Sequence, residues 1–183
     1  MKSEYILTCI IIFISMIPDY IASNNKYVYH TTKSDNVESI IENGIKTGKT
    51  NPDSRIISNT LKEYPEVTNL PFDRLDCSYF HINADYINKT RNMMNKKSIV
   101  VVDISKIESD MYISDMSIIS DVLDYSVMKS IPEFKIKNTI EKYQNNIYKI
   151  NSIDDISNNN IMGHVELLIV ENIKPDAIEL IIN

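Results

Sequence analysis

Apolar residues are densest at the start of the chain and then recur in short blocks. Tyr5 to Ile17 is almost wholly apolar, and Pro18 stops the run. Its 13 residues are fewer than the roughly 20 needed to span a bilayer, and they fit the apolar core of a signal peptide. Lys2 precedes this run, and Ile21-Ala22-Ser23 follows as a cleavage region. Residues 1–23 therefore read as a signal peptide or N-terminal hydrophobic segment, and residues 24–183 as one domain. A membrane anchor and a buried N-terminal helix or strand are the alternatives for the segment.

Past that segment the pattern predicts mixed elements. Tyr27 to His30 is aromatic and β-branched, the signature of a strand. Val37, Ile40 and Ile41 share a helical face, with Ser34 or Asp35 as N-cap and Asn43-Gly44 as the stop. Residues 46–70 are polar, carry Pro52 and Pro65, and read mostly as loop. A short strand is expected over Cys77–Ile82, a helix over Ala84–Met94 and a buried strand over Ser98–Ile104. Met111–Ser114 reads as a short edge strand. Ile118–Met128 and Glu133–Ile150 read as helices, with a polar loop over 151–160. Val165–Val170 reads as a central strand and Ala177–Ile182 as the last one. Strands and helices do not alternate regularly, so the pattern predicts an α+β fold with mainly antiparallel sheets and flanking helices.

Composition removes several function classes. Only 3 glycines occur, and no two stand in a P-loop or G-x-G-x-x-G spacing. Two cysteines, Cys9 and Cys77, are too few for a disulfide scaffold or a four-Cys zinc site, and loss of residues 1–23 leaves Cys77 alone. No disulfide-linked partner is expected. His30, His81 and His164 are too far apart to give a metal signature, so no metal is expected. A formal charge of −6 argues against general binding to phosphate backbones. Asn88-Lys89-Thr90 fits an N-glycosylation triplet, a frequent chance match in an Asn-rich chain.

Two positions stand out chemically. Glu166 interrupts an apolar strand, and a buried carboxylate is costly unless it is paired or used. It is otherwise a strand-edge residue facing water. His164 lies two positions earlier, on the same strand face. His30 ends its strand and reads on its own as a hydrogen-bonded strand-end residue. Tyr79 and Phe80 alone read as core aromatics.

The order of these features resembles ADP-ribosyltransferase domains. Tyr29-His-Thr-Thr32, followed by Asn36-Val-Glu-Ser-Ile-Ile-Glu-Asn-Gly-Ile45, resembles that family's opening strand and helix. Cys77-Ser-Tyr-Phe-His-Ile-Asn-Ala-Asp-Tyr86 resembles its Tyr-Phe strand and the helix after it. Val165-Glu-Leu-Leu-Ile169 resembles the strand carrying the catalytic Glu, and Ile173-Lys-Pro-Asp-Ala-Ile178 resembles the ending found in the DNA-modifying toxin DarT and the RNA 2′-phosphotransferases. The resemblance covers about residues 26–183.

It implies an NAD+-dependent transferase in which NAD+ is a substrate and no metal is needed. His30 would bond the adenosine ribose, with Thr31 and Thr32 beside it. Tyr79 would pack on the nicotinamide, and Tyr86 would offer a second stacking face. Glu166 would hold the nicotinamide ribose and stabilise the positive charge that develops as nicotinamide leaves. Arg55 or Arg74 would bind the pyrophosphate, or stand as a solvated surface residue. His164 would address the acceptor. Thr31 departs from the family's Gly, which favours a catalytically inactive nucleotide- or protein-binding relative as the alternative. An RNA 2′-phosphotransferase-like enzyme would want more arginines near its site. The acidic charge favours a protein acceptor over nucleic acid. The protein would be secreted if residues 1–23 are a signal peptide, as a toxin would be, and otherwise cytoplasmic or membrane-anchored.

Overall fold

The computed structural model describes residues 10–12, 16–48, 51–90, 97–128, 130–158 and 164–183. Cys9, Arg91, the end of the Ala84–Met94 helix and the last positions of the 151–160 loop lie outside them. The fold is α+β and mainly antiparallel. The chain divides into two compact units. The first comprises Met1–Ile45, Phe80–Glu108 and Ile173–Asn183, and the second Lys46–Tyr79 and Ser109–Asn172.

In the first unit, strand β1 (Ile10–Ile12) lies at one side, followed in order by β8 (Ile178–Ile182), β4 (Lys97–Asp103) and β2 (Tyr27–Lys33). The β1–β8 pair is parallel and the others are antiparallel. From Ser98 to Asp103 every residue of β4 is buried, which explains its unbroken apolar run. Helix α1 (Asp19–Ala22) and helix α4 (Ala84–Thr90) close one face. Ile17, Ile21, Tyr29, Ala84, Ile87, Ile99, Val101, Leu180 and Ile182 share that core. The backbone N–H of Ile17 donates to Asn88 Oδ1 at 2.9 Å, so the Asn of the glycosylation triplet is engaged.

Helix α2 (Val37–Asn43) follows a single 3-10 turn over Ser34–Asn36. Neither Ser34 nor Asp35 caps it, contrary to the sequence expectation: both lie inside that turn. Asn36 occupies the cap position, and its side chain instead donates to Thr32 Oγ1 at 3.2 Å. Gly44 ends the helix as expected, at φ 73°. There Ile45 pairs with Ile173 through two backbone bonds of 2.9 Å, one donated by each residue.

In the second unit the strand order is β3 (Ser78–His81), β7 (Val165–Ile169), β5 (Met111–Asp115) and β6 (Tyr148–Ile150). Only Ser78 and Tyr79 of β3 belong to this unit. Helices α3 (Pro52–Glu63), α5 (Met116–Val127) and α6 (Glu133–Gln144) pack through Ile57, Leu61, Ile118, Ile119, Val122, Ile140 and Tyr143.

Three expectations fail here. The stretch read as loop contains α3: Asn51 accepts from the Asp53 N–H at 3.0 Å and Pro52 starts the helix. The helix expected to reach Ile150 stops at Gln144, and residues 148–150 form the edge strand β6. That leaves β5 paired on both sides, by β6 and β7, rather than at an edge. No described helix is long and apolar enough to cross a membrane.

Candidate functional site

The chemistry of the second unit gathers around one guanidinium. Arg74 opens a 3-10 turn whose cap, Asp73, accepts from the Leu75 N–H at 2.9 Å and from Ser58 Oγ at 2.8 Å. Lys62 Nζ lies 2.5 Å from the other Asp73 oxygen. Fixed in this way, Arg74 is only 3% exposed. Its two terminal nitrogens donate to Glu166, Nη1 to Oε2 at 3.1 Å and Nη2 to Oε1 at 3.2 Å. This is a bidentate pair, the geometry that suits a guanidinium to a carboxylate.

Glu166 is 6% exposed on β7 and directly faces Ser114 of β5 across the ladder. Ser114 Oγ donates to Glu166 Oε2 at 3.3 Å. From α6, Tyr143 bonds to Arg74 Nη1, and its ring centroid is 5.5 Å from the guanidinium carbon. The Tyr79 ring lies 5.0 Å from the same carbon, and its hydroxyl donates to the Arg74 carbonyl. A Cβ on Gly48 would fall 2.7 Å from Tyr79 Cε2, so the absent side chain leaves room for that ring.

Burial and charge act against one another at this cluster. Burial opposes the charge on Arg74, but the Glu166 carboxylate holds its pKa above the ordinary value. Burial pushes the Tyr79 hydroxyl up to about 12 and raises that of Tyr143 as well, so both stay protonated, Tyr79 donating to the Arg74 carbonyl and Tyr143 accepting from Arg74 Nη1. Burial also pushes the Cys77 thiol up to about 12, which leaves it without thiolate character. His164 precedes β7, and burial lowers its pKa despite the carboxylates of Glu166 and Asp115.

The expected site residues thus fall into two groups. Tyr79, Arg74 and Glu166 meet in the second unit. Arg74 is neither solvated nor free for a pyrophosphate, because its paired face is committed to Glu166. Glu166 does not face water. Arg55 lies exposed on α3.

His30, Thr31, Thr32 and Tyr86 belong to the first unit. His30 is 5.8 Å from the Phe80 ring, ring centre to ring centre, and Tyr86 is 5.7 Å from His81. Thr31 and Thr32 continue β2, opposite Ile99 and Ser98 of β4. Among the described residues no three His, Cys, Asp or Glu side chains form a metal-holding group.

Sequence reasoning missed Ser114 and Tyr143. Tyr143 reads as one more apolar position of a helix, and nothing local marks Ser114. The Arg74–Glu166 link did leave a signal: a carboxylate inside an apolar strand needs a cation, and the chain has three arginines.

No family model matches the chain. No curated protein matches it either. The resemblance to ADP-ribosyltransferases therefore rests on the motif residues alone.

Proposed function

We propose that the chain is an NAD+-dependent ADP-ribosyltransferase of the His-Tyr-Glu kind, releasing nicotinamide and modifying a protein acceptor. The observation that carries the reading is that Tyr79 and Glu166, matched to the family from separate motifs, both engage Arg74. An ionised carboxylate has about four lone-pair sites. Arg74 and Ser114 occupy three of those on Glu166, and Oε1 keeps one for a ribose hydroxyl. A carboxylate held this firmly needs little reorganisation as positive charge grows on the ribose. In this reading Tyr79 serves the nicotinamide and His164 addresses the acceptor.

A second reading has its own support. Glu166 is buried and its charge is balanced by Arg74, which suits a relative that binds a nucleotide without turning it over. Thr31 in place of Gly points the same way.

One experiment separates them. The full chain is incubated with NAD+ and a mixed protein acceptor, and nicotinamide release and NAD+ affinity are both measured. Release that falls about 10²-fold or more in Glu166→Gln supports the transferase. Binding without release supports the second reading, and absence of both rejects the two together.

A further inference from the structure

The polar cluster of the second unit contains one costly atom. Among the described residues Arg74 Nε meets no hydrogen-bond partner, although it is buried. Native structures rarely leave a buried donor in that condition. A guanidinium can meet a carboxylate end-on, through Nη1 and Nη2, or side-on, through Nε and Nη2. The side-on mode would satisfy Nε and still keep Nη2 on the carboxylate. The chain adopts the end-on mode, with Nη1 on Glu166 Oε2 and Nη2 on Oε1. Something must therefore hold Nη1.

Tyr143 supplies that hold. It is fully buried near the end of α6, and its hydroxyl accepts from Nη1. Rotation to the side-on mode would carry Nη1 away from Glu166 and break this bond as well. The same hydroxyl forms a side-chain hydrogen bond with Ser114. Ser114 spends its own proton on Glu166 Oε2, so the Tyr143 O–H is the donor of that bond. Arg74, Tyr143, Ser114 and Glu166 Oε2 thus close a ring of hydrogen bonds. Oε2 accepts within the ring from both Arg74 and Ser114, whereas Oε1 accepts from Arg74 Nη2 outside it.

We propose that Tyr143 is a positioning residue for Glu166. It fixes the end-on approach of Arg74 and, through Ser114, pins Oε2, so that Oε1 is the oxygen presented to the ribose. The unmet Nε is the cost of that orientation. The inference rests on the transferase reading. A carboxylate with one oxygen pinned stabilises the charge that develops on the ribose and adds little to ground-state binding, so Tyr143 acts on kcat rather than on KM.

The test uses the full chain with NAD+ and the mixed protein acceptor. Tyr143→Phe keeps the ring beside the guanidinium, 5.5 Å from its carbon, and removes the hydroxyl. It should lower kcat for nicotinamide release about tenfold and leave KM for NAD+ within about twofold of the wild type. Heteronuclear NMR of the arginine side chains gives a second readout. The Arg74 Nε–H signal should move downfield in Tyr143→Phe, as Nε takes the place of Nη1 on Glu166. A residue serving the fold alone would leave that signal and the kcat of the folded protein unchanged. If Tyr143→Phe fails to fold, Ser114→Ala cuts the same ring beside Glu166. It must then lower kcat about threefold or more at unchanged KM, and an unchanged kcat overturns the inference. In a wild type that releases nicotinamide, an unchanged kcat, a loss expressed in KM, or an Nε signal that stays in place in Tyr143→Phe overturns the inference alone. No release by the wild type rejects the transferase reading and the inference with it.

Discussion

Arg74 and Glu166 bind each other through two parallel hydrogen bonds in the interior of the second unit, although they are 92 positions apart in the chain. Each is under a tenth exposed. A pair of this kind contributes little net stability against an apolar substitute, yet loss of either partner strands a buried charge. Arg74→Met should therefore cost about 3–5 kcal/mol. Arg74→Met combined with Glu166→Leu should cost less than either single change. Urea denaturation of the four proteins measures the coupling. Additive single effects would show that the two side chains do not depend on each other.

His164 gives a pH dependence with a definite sign. Burial depresses its pKa in the folded chain, so folding favours the neutral ring. As pH falls below about 6.5 the unfolded chain takes up the proton first. The stability that His164 contributes is thus present above that pH and is lost as pH falls through the lower folded value. Compared with His164→Gln, the wild type should lose more stability between pH ~7.5 and ~5. A difference between the two proteins that does not change with pH would reject this origin.

The N-terminal segment is expected to matter for stability. Ile17 and Ile21 are 2% and 1% exposed, and the Tyr29 hydroxyl bonds to the Ile21 carbonyl at 3.5 Å. Ile21→Ala should cost about 2–5 kcal/mol by the usual loss of burial plus a cavity. Removal of residues 1–23 should leave amide protons of Val28 and Val101 exchanging much faster than in the full chain. Equal protection in the two forms would mean that the first unit holds its core without the segment.

Gly44 combines a positive φ with ψ −173°, a region that other residues scarcely enter. A Cβ there would also fall 1.8 Å from the Ile173 carbonyl oxygen. Gly44→Ala should destabilise the first unit by about 2 kcal/mol or more. Thermal melting checks this, and a melting temperature within error of the wild type would contradict it.

Legibility in the sequence followed the strength of local signals. β4 and β7 announced themselves because both faces are buried, with an unbroken apolar run over Ile99–Val102 in one and a single polar residue, Glu166, in the other. Helix α3 was hidden because Ser54, Ser58 and Thr60 share its buried side with Ile57 and Leu61, so no clean apolar stripe forms. The signal that remained was its start, Asn51-Pro52-Asp53, a cap followed by Pro and an acid. β6 was absorbed into α6 because three residues are too few to show a period of two. At the site, Glu166 was conspicuous for its chemistry, but its partner could not be read. Pairing across 92 positions depends on which strands lie side by side, and local pattern carries no such information.

The order in which the chain is made has a bearing on the first unit. β8 pairs with both β4 and β1, yet its residues follow nearly everything else in the sequence. All of the second unit is synthesised before it. Without β8, β4 lacks one neighbour. Until residues 178–182 arrive, the apolar β4 presents an open edge with unpaired backbone groups, which is a template for pairing with other chains. Fraying or removal of residues 178–182 would expose that same edge, so β8 is the strand that shields the apolar β4 from pairing with other chains.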